Sequence, residues 1–370
     1  MRARRALIAL AVAACASPGV PPGGPVDTEA PEIVRIAPDS GTTGVSPKNV
    51  VFRFNEVVSE RPSGAASLEA LFLISPRQGD PRVDWSRQEI AVRPRGGWRN
   101  NTAYTITLLP GLSDLRGNTR NTGAVTMFST GSSIPSGRIS GTLFSWVEAR
   151  PIARGIVEAR MGPDTSIVYV ANTDSAGGFV LSNLPPGQYN VRGVIDDNNN
   201  RGLDPREPWD SVSVALTDAA TTELLAFVHD SIGARLSSVT VRDSVTLELA
   251  FDNPLPAAAP LAIANVRVRA RDSVDVPIVS VSPPPADTVR ATGPRPSRPS
   301  PVRSVRVRLG RPLVPGTEYR VQVTDVRNLI GVARNSDRTV VAPAATPAAA
   351  RPPAPPPPSP PAAPPASVPW

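Results

Sequence analysis

The sequence predicts an all-β fold of three tandem Greek-key β-sandwiches. Short alternating runs rich in Val, Ile, Thr and Arg recur along the chain, and Gly, Pro, Asn and Asp bound them. Long helical patterns are absent after residue 15. The chain has 370 residues, which exceeds what a single hydrophobic core usually fills, so two or three domains are expected.

Composition narrows the classes of partner. The 39 basic residues exceed the 32 acidic ones by only seven, and they are spread along the chain, so no nucleic-acid partner is expected. Cys15 is the only cysteine and His229 the only histidine. The 45 prolines and 27 glycines indicate many turns together with segments of low complexity.

The N-terminus carries the most specific pattern. Three arginines precede a nine-residue apolar run that ends at Cys15, which is the organisation of a secretory signal and is too short for a membrane span. Val12-Ala13-Ala14-Cys15 resembles the lipobox of bacterial lipoproteins. That resemblance implies that residues 1–15 are a signal peptide and that Cys15 is lipidated, which would anchor the protein to a membrane. An ordinary signal peptide containing a cysteine is the alternative.

Residues 16–30 are rich in Pro and Gly and are expected to be a flexible tether. In lipoproteins of this kind an aspartate after the cysteine often signals retention in the inner membrane. Ala16 stands there instead, so the resemblance favours the outer membrane, with the periplasmic and the surface face both open. A lipidated Cys15 would leave the mature chain without a disulfide, so burial alone would have to stabilise its domains.

Residues 31–130 are predicted to form the first domain. Its expected strands begin with Ile33–Pro38 and Val50–Glu56, in which Val50, Phe52 and Phe54 share one face, and continue with 71–74, 89–94, 104–108 and 125–129. A proline-ended first strand, Phe54-x-Glu56, Thr102 to Leu108 and Asp114 to Asn118 resemble the bacterial Ig-like domain of surface-layer and exported proteins. The resemblance implies a structural or binding module.

Residues 137–228 are predicted to form a second sandwich. Asp174 to Leu181 and Leu184 to Val191 resemble the turn-plus-strand signatures of the transthyretin-like, carboxypeptidase regulatory-like domain. Gly178 and Gly187 are expected to supply turn conformations that other residues resist, and Phe179 and Tyr189 are expected to face the core.

Residues 236–340 resemble a degenerate repeat of the first domain. Val245–Asp252 corresponds to the Phe52–Glu56 strand, and Gly316–Val323 corresponds to Asn101–Leu108. The Pro/Arg/Ser-rich insert 283–301 replaces a short turn near Asp84–Arg87, and we expect it to be an exposed, disordered loop. The Pro/Ala-rich segment 342–370 is expected to be a disordered tail, serving as a spacer or as a ligand for an aromatic groove.

One loop has the composition of a metal site. The oxygen-bearing side chains of Asp196, Asn198, Asn200, Asp204 and Glu207 have the spacing of an EF-hand calcium loop. Arg201 occupies the position that needs glycine, and the flanking segments are strands instead of helices. The alternative is an Asx-rich loop whose side chains bond their own backbone. Calcium would be structural there, and no cofactor is expected to be required.

The sequence argues against an enzyme. His229 lies beside Asp230 in a linker-like segment with no nucleophile motif, and one histidine cannot build a zinc site. The predicted function is therefore a non-catalytic cell-envelope lipoprotein whose modules have structural or partner-binding roles. The alternative is a carbohydrate-binding envelope protein that uses exposed tryptophans, chosen from Trp85, Trp98, Trp146, Trp209 and Trp370. The partner, whether envelope protein or glycan, and the oligomeric state stay open.

Overall fold

The computed structural model describes residues 26–162, 164–258, 260–272, 274–285 and 293–344. These residues form several antiparallel sheets and no α-helix, which confirms the all-β fold class. Two short 3-10 helices, Glu69–Leu71 and Ile263–Asn265, interrupt the strands. Among the described residues no helix is long and apolar enough to cross a membrane. Cys15, Trp370 and the tail from residue 345 lie outside the described residues, so their predicted roles stay predictions.

The first sandwich has the strand arrangement of a constant-type Ig domain. Its strands are β1 (Ile33–Ala37), β2 (Val50–Phe54), β3 (Phe72–Ser75), β4 (Pro81–Ser86), β5 (Glu89–Pro94), β6 (Ala103–Leu108) and β7 (Ala124–Ser129). One sheet has the order β1-β2-β5-β4 and the other β3-β6-β7, which is the ABED and CFG order of that fold. Val50, Phe52 and Phe54 are at most 1% exposed, so the predicted core face of this strand is confirmed.

Strand β4 is an element that the sequence analysis missed. Asp84 to Ser86, predicted as a turn, continue the strand and pair with β5. The turn itself lies at Arg87, which has φ +52°. Only Val83 and Trp85 alternate with polar residues in β4, so the pattern of apolar residues predicts a strand only weakly. Pairing with β5 at the edge of the sheet determines its conformation.

The second sandwich has a different strand order. Its strands are β8 (Gly137–Ser145), β9 (Arg150–Pro151), β10 (Ile156–Met161), β11 (Asp164–Asn172), β12 (Gly178–Leu184), β13 (Gly187–Val194), β14 (Trp209–Leu216) and β15 (Ala219–Ala226). The sheets are β11-β10-β13-β14 and β12-β8-β15, with β9 beside β8 and β15 parallel to β8. This order differs from the ABED and CFG order of the first sandwich.

Phe179 and Tyr189 lie in the core of the second sandwich, as predicted. The interpretation of the two glycines was wrong, because Gly177 and not Gly178 has the positive φ, at +77°. Side chains instead approach both Gly178 and Gly187 closely. A Cβ on Gly178 would lie 2.8 Å from the Asp174 carboxylate, and one on Gly187 would lie 3.1 Å from Met161.

The third sandwich repeats the topology of the first. Its strands are β16 (Leu236–Asp243), β17 (Thr246–Leu255), β18 (Val266–Ala270), β19 (Asp275–Val276), β20 (Ile278–Ser282), β21 (Val302–Leu309), β22 (Glu318–Arg327) and β23 (Ala333–Val341). The sheets are β16-β17-β21-β20 and β19-β18-β22-β23. They match the order of the first sandwich once the two-residue β19 is set aside, which is the internal repeat that the sequence indicates.

The insert joins β20 to β21, the same place in the fold as the turn between β4 and β5. Residues 293–301 of the insert contact the second sandwich, although most of them are exposed. The Ser297 N–H donates to Glu223 over 2.9 Å, the Trp146 indole donates to the Pro299 carbonyl over 3.1 Å, and the Arg298 guanidinium lies 5.1 Å from the Trp146 ring centre. An aromatic face and a carboxylate therefore hold a segment whose composition predicts disorder.

Candidate functional site

The most elaborate polar arrangement among the described residues lies between the first and second sandwiches. Strand β10 supplies Val157 and Ala159 to the core of the second sandwich, so the intervening Glu158 faces the opposite side of its sheet. The first sandwich covers that side, and the Glu158 side chain is only 4% exposed. Strand alternation thus places a carboxylate in the junction between two domains.

Three arginines surround this carboxylate. Arg77 of the first sandwich donates to Glu158 Oε1, while Arg192 and Arg160 donate to Oε2 over 2.6 and 3.2 Å. Arg192 lies directly opposite Glu158 in the register of β10 and β13. Burial alone would raise the pKa of Glu158, but the charges of Arg77 and Arg192 and the hydrogen bond from Arg192 outweigh it, and the pKa lies below its ordinary value.

A second arginine reaches from the second sandwich into the first. Arg201, in the loop between β13 and β14, donates to the main-chain carbonyls of Phe72, over 2.8 Å, and of Ala70. Arg77 in turn donates to the Arg201 carbonyl over 2.6 Å. Each domain therefore inserts an arginine into the other, and we call Arg77, Glu158 and Arg201 the arginine latch.

Backbone pairing extends the junction beyond the arginine latch. Arg77 N–H donates to the Val168 carbonyl over 2.7 Å, and the Val170 N–H donates to Ser75 Oγ over 3.0 Å. The end of β3 thus pairs with β11, an edge strand of the second sandwich. Asn183 also donates to Thr105 Oγ1 over 2.8 Å. Pairing of this kind satisfies edge groups that would otherwise be open to another chain.

The loop predicted to bind calcium forms part of this junction. Its carboxylates accept hydrogen bonds from the loop itself: Asp196 from the N–H groups of Asn200 and Arg201, Asp204 from the Asn200 amide, and Glu207 from the N–H groups of Asp197 and Asp204. Asn198 Oδ1 accepts from the Asn200 N–H over 2.9 Å. The Asx-rich alternative predicts such bonds, and calcium binding stays a prediction.

Arg201 explains why the EF-hand pattern is broken at its sixth position. The residue has φ +60°, the left-handed conformation for which that position ordinarily uses glycine. Its side chain donates to main-chain carbonyls of the first sandwich, as described above. The sequence gives no sign of this role, because the carbonyls of Ala70 and Phe72 lie about 130 residues away along the chain.

A group of three acidic side chains lies elsewhere, at the edge of the first sandwich. Within the described residues, Asp27, Glu56 and Asp114 are the one such group whose oxygens come within 4.8 Å of one another. Asp114 is buried and accepts from the N–H groups of Arg116 and Asn118 and from the Asn118 amide. Burial and then the charges of Asp27 and Asp114 raise the pKa of Glu56. Two of the four motifs quoted for the Ig-like resemblance, those that contain Glu56 and Asp114, meet here.

The candidate residues for other chemistry have packing roles. His229 stacks on Trp209, with ring centres 3.9 Å apart, and on Phe227, and its Nδ1 lies 3.1 Å from the Phe227 carbonyl. Burial lowers the pKa of His229. Trp85, Trp98, Trp146 and Trp209 are each partly buried, so none is the exposed platform that the carbohydrate alternative requires. The indole N–H groups of the first two donate to main-chain carbonyls over 3.0 and 2.6 Å.

Comparison with known families supports the first sandwich alone. Residues 27–130 match the model of the bacterial Ig-like domain, in agreement with the resemblance drawn from its motifs. A search of curated proteins finds no match for the chain.

Solved structures similar to this chain are remote. An L,D-transpeptidase from Mycobacterium smegmatis is 16% identical over 54% of this chain and 77% of its own, with a TM-score of 0.21. The N-terminal part of the bacterial S-layer protein SbsC is 14% identical over 52% and 44%, with a TM-score of 0.21. A carbohydrate-binding protein candidate from Bacteroides uniformis is 12% identical over 56% and 99%, with a TM-score of 0.19. At these scores the likeness carries no inference about function.

Proposed function

We propose that this protein is a non-catalytic, lipid-anchored protein of the cell envelope whose first two domains act as one rigid structural or partner-binding unit. The arginine latch is the observation that carries the proposal. In the arginine latch, a buried carboxylate and two arginines join the first and second domains. Main-chain pairing between β3 and β11 adds to this contact. A flexible chain of independent modules would not need such contacts, because linked domains otherwise move relative to one another.

The Ig-like match of residues 27–130 supports the same proposal, since such modules are commonly structural or binding units. For the second domain we propose the transthyretin-like, carboxypeptidase regulatory-like class. Its motifs support that class, and its strand order, which differs from that of both neighbours, is compatible with a separate origin. We propose boundaries of 31–130, 137–228 and 236–340 for the three domains.

The anchor is tested at Cys15. Intact mass and membrane fractionation of the native protein are compared with those of a Cys15→Ser variant. The proposal expects a mature chain that begins at an acylated Cys15 and a variant that leaves the membrane fraction. An unlipidated wild-type chain in the soluble fraction would contradict the anchor and leave a secreted β-sandwich protein.

Rigidity of the first two domains is tested separately. Spin labels placed on the first and second domains should give one narrow distance distribution, whereas labels on the first and third domains should give a broader one. Equal breadth for both pairs would contradict the rigid unit. This measurement does not depend on the lipid and can be made on the mature chain without its cysteine.

We also propose that the loop from Asp196 to Glu207 binds a structural calcium ion. Millimolar calcium should raise the unfolding temperature, because a ligand that binds only the folded state stabilises it. Asp204→Asn should reduce the effect, since it removes a carboxylate at a predicted ligand position. An unfolding temperature that calcium leaves unchanged would contradict calcium binding and favour the Asx-rich loop.

A further inference from the structure

A cavity of about 320 Å³ opens between the first and second sandwiches, and no residue of the arginine latch is among its described lining residues. Its first-domain wall includes Asn101 and Ser133, and its second-domain wall includes Met161 and Asn183. Tyr169, on β11, also lines it. Volumes of about 300–1,000 Å³ are typical of small-ligand sites, so this cavity lies at the small end of that range.

The hydroxyl of Tyr169 lacks a partner. The residue is 6% exposed, yet its hydroxyl makes no hydrogen bond with any described residue. Neighbouring tyrosines are satisfied: Tyr104 Oη accepts from the Arg99 N–H over 2.7 Å, and Tyr189 Oη donates to the Pro185 carbonyl over 2.7 Å. Among the described residues, the Tyr169 hydroxyl is not one of the buried side-chain atoms without a partner, so it is accessible from the cavity and can bond a polar group that enters there.

The lining defines what can enter. The described lining residues include amides, hydroxyls and apolar groups, and none of these described residues carries a charge. The Asn101 amide and the Ser133 hydroxyl form no hydrogen bond within the described part of the chain, and Asn183 commits only its Nδ2, to Thr105. Met161 and Ile167 supply apolar surface.

Charged and purely apolar ligands fit this lining poorly. An ion would lose hydration and meet no opposite charge, which is expensive. An alkane-like ligand would leave the Tyr169 hydroxyl unpaired. A ligand with several hydroxyls and an apolar ring face satisfies both conditions.

We propose that this cavity binds an uncharged saccharide unit, with the Tyr169 hydroxyl bonded to a sugar hydroxyl. The proposal goes beyond the rigid-unit function and is independent of the tryptophans, which are packed within the fold. Both domains line the site, so an occupant would touch both sides of the junction. The occupant is therefore expected to strengthen the contact between the domains.

Isothermal titration calorimetry of the mature chain with glucose, N-acetylglucosamine and their disaccharides tests the proposal. One saccharide is expected to bind per chain. Tyr169→Phe removes only the hydroxyl and should weaken the affinity roughly 2- to 13-fold, the effect of one neutral hydrogen bond. Tyr319→Phe is the matched control, because Tyr319 is equally buried in the third domain, where its hydroxyl accepts from Val314. It should bind as wild type does.

A second variant keeps the test independent of the core. Ser132 is exposed and also lines the cavity, so Ser132→Trp should fill it without disturbing the fold. Loss of saccharide binding with an unchanged circular dichroism spectrum would support the proposal. Failure of every saccharide to bind the wild type at millimolar concentration would overturn it, as would wild-type affinity in both Tyr169→Phe and Ser132→Trp.

Discussion

The two junctions between domains differ in the groups that make them and in how deeply those groups are buried. The first and second sandwiches meet through the arginine latch, whose carboxylate is 4% exposed, and through main-chain pairing of β3 with β11. The second and third sandwiches meet where the insert contacts Trp146 and Glu223. The first junction is directional and buried, whereas the second rests on one ring face and on partly exposed groups.

This difference indicates different mechanical roles. Hydrogen bonds to charged groups in a buried site have narrow geometry, so the first junction fixes an angle between domains. The hydrogen bonds of the insert to the second sandwich are exposed, and an exposed hydrogen bond exchanges readily with water. We therefore expect the molecule to bend between the second and third domains before it bends between the first and second.

Removing the charge of Glu158 should have the largest effect. Glu158→Gln leaves Arg77, Arg160 and Arg192 without their carboxylate, and breaking a buried ion pair costs about 3–5 kcal/mol. Urea unfolding should show this loss in the transition that includes the first two domains. Glu148→Gln is the control, because that side chain is 55% exposed in its pair with Arg150 and should cost under about 1 kcal/mol.

The acid dependence of the same variant sharpens the test. The folded-state pKa of Glu158 lies below the ordinary value of 4.5, so its contribution to stability is present above that pH. It is lost as the pH falls through the folded-state pKa. Glu158→Gln should flatten this part of the acid-unfolding curve. Wild-type stability and an unchanged acid profile in the variant would contradict the role assigned to Glu158.

Arg201→Gly should have the next largest effect. Glycine adopts the φ of +60° readily, so the loop should keep its shape while the bonds to Phe72 and Ala70 disappear. Bonds to charged groups contribute about 1.5–3 kcal/mol, and a loss of that order is expected. The distance distribution between labels on the first two domains should broaden. Arg206→Gly, an exposed change in the same loop, should leave the distribution narrow; broadening in both variants would count against the arginine latch.

Trp146→Ala should break the contact of the insert with the second domain, together with the edge contact between the Trp146 and Phe227 rings. Loss of the indole hydrogen bond and of the Arg298 contact should speed amide hydrogen exchange at Ser297 several-fold, since each contributes about 1 kcal/mol or less. Global unfolding should change little. Arg298→Ala should increase the exchange rate at Ser297 less than Trp146→Ala does, because it removes the cation–π contact and keeps the indole hydrogen bond. Unchanged exchange in Trp146→Ala would show that Glu223 alone holds the segment.

The smallest expected effect is a mild dependence on pH at the end of the second sandwich, where His229 stacks on Trp209 and Phe227. Burial lowers the pKa of His229 and outweighs the Phe227 carbonyl and Asp210, which raise it. The unfolded chain therefore binds a proton first, and stability declines as the pH falls below the ordinary value of 6.5. His229→Asn should remove this slope in urea midpoints measured between about pH 5 and 8. An identical slope in the variant would contradict the assignment to His229.

The sequence predicted most strands but not those with weak patterns. Apolar alternation identified β2, β5 and β6 closely, because both their faces and their bounding turns are marked by residue type. Strand β4 was missed, since its charged residues resemble a turn. Strands β11, β14, β15, β16, β18, β19 and β23 were not identified either. Pairing to a neighbouring strand decides such segments.

The candidate sites were less predictable. The sequence singled out the loop from Asp196 to Glu207, and that loop does lie at the junction of two domains. Nothing in its spacing showed that Arg201 reaches the carbonyls of Ala70 and Phe72. The sequence did not predict a role for Glu158, because a single acidic residue in a strand usually faces solvent.

The sequence by itself determined the all-β class, the repeat of the first domain in the third, and the motifs that match the bacterial Ig-like domain. These follow from periodicity and turn chemistry, which act over a few residues. Only the tertiary structure decided that Arg77 meets Glu158, that the insert lies on Trp146, and that Tyr169 faces a cavity. Those contacts join residues far apart in the chain, so they depend on how whole domains are placed against each other.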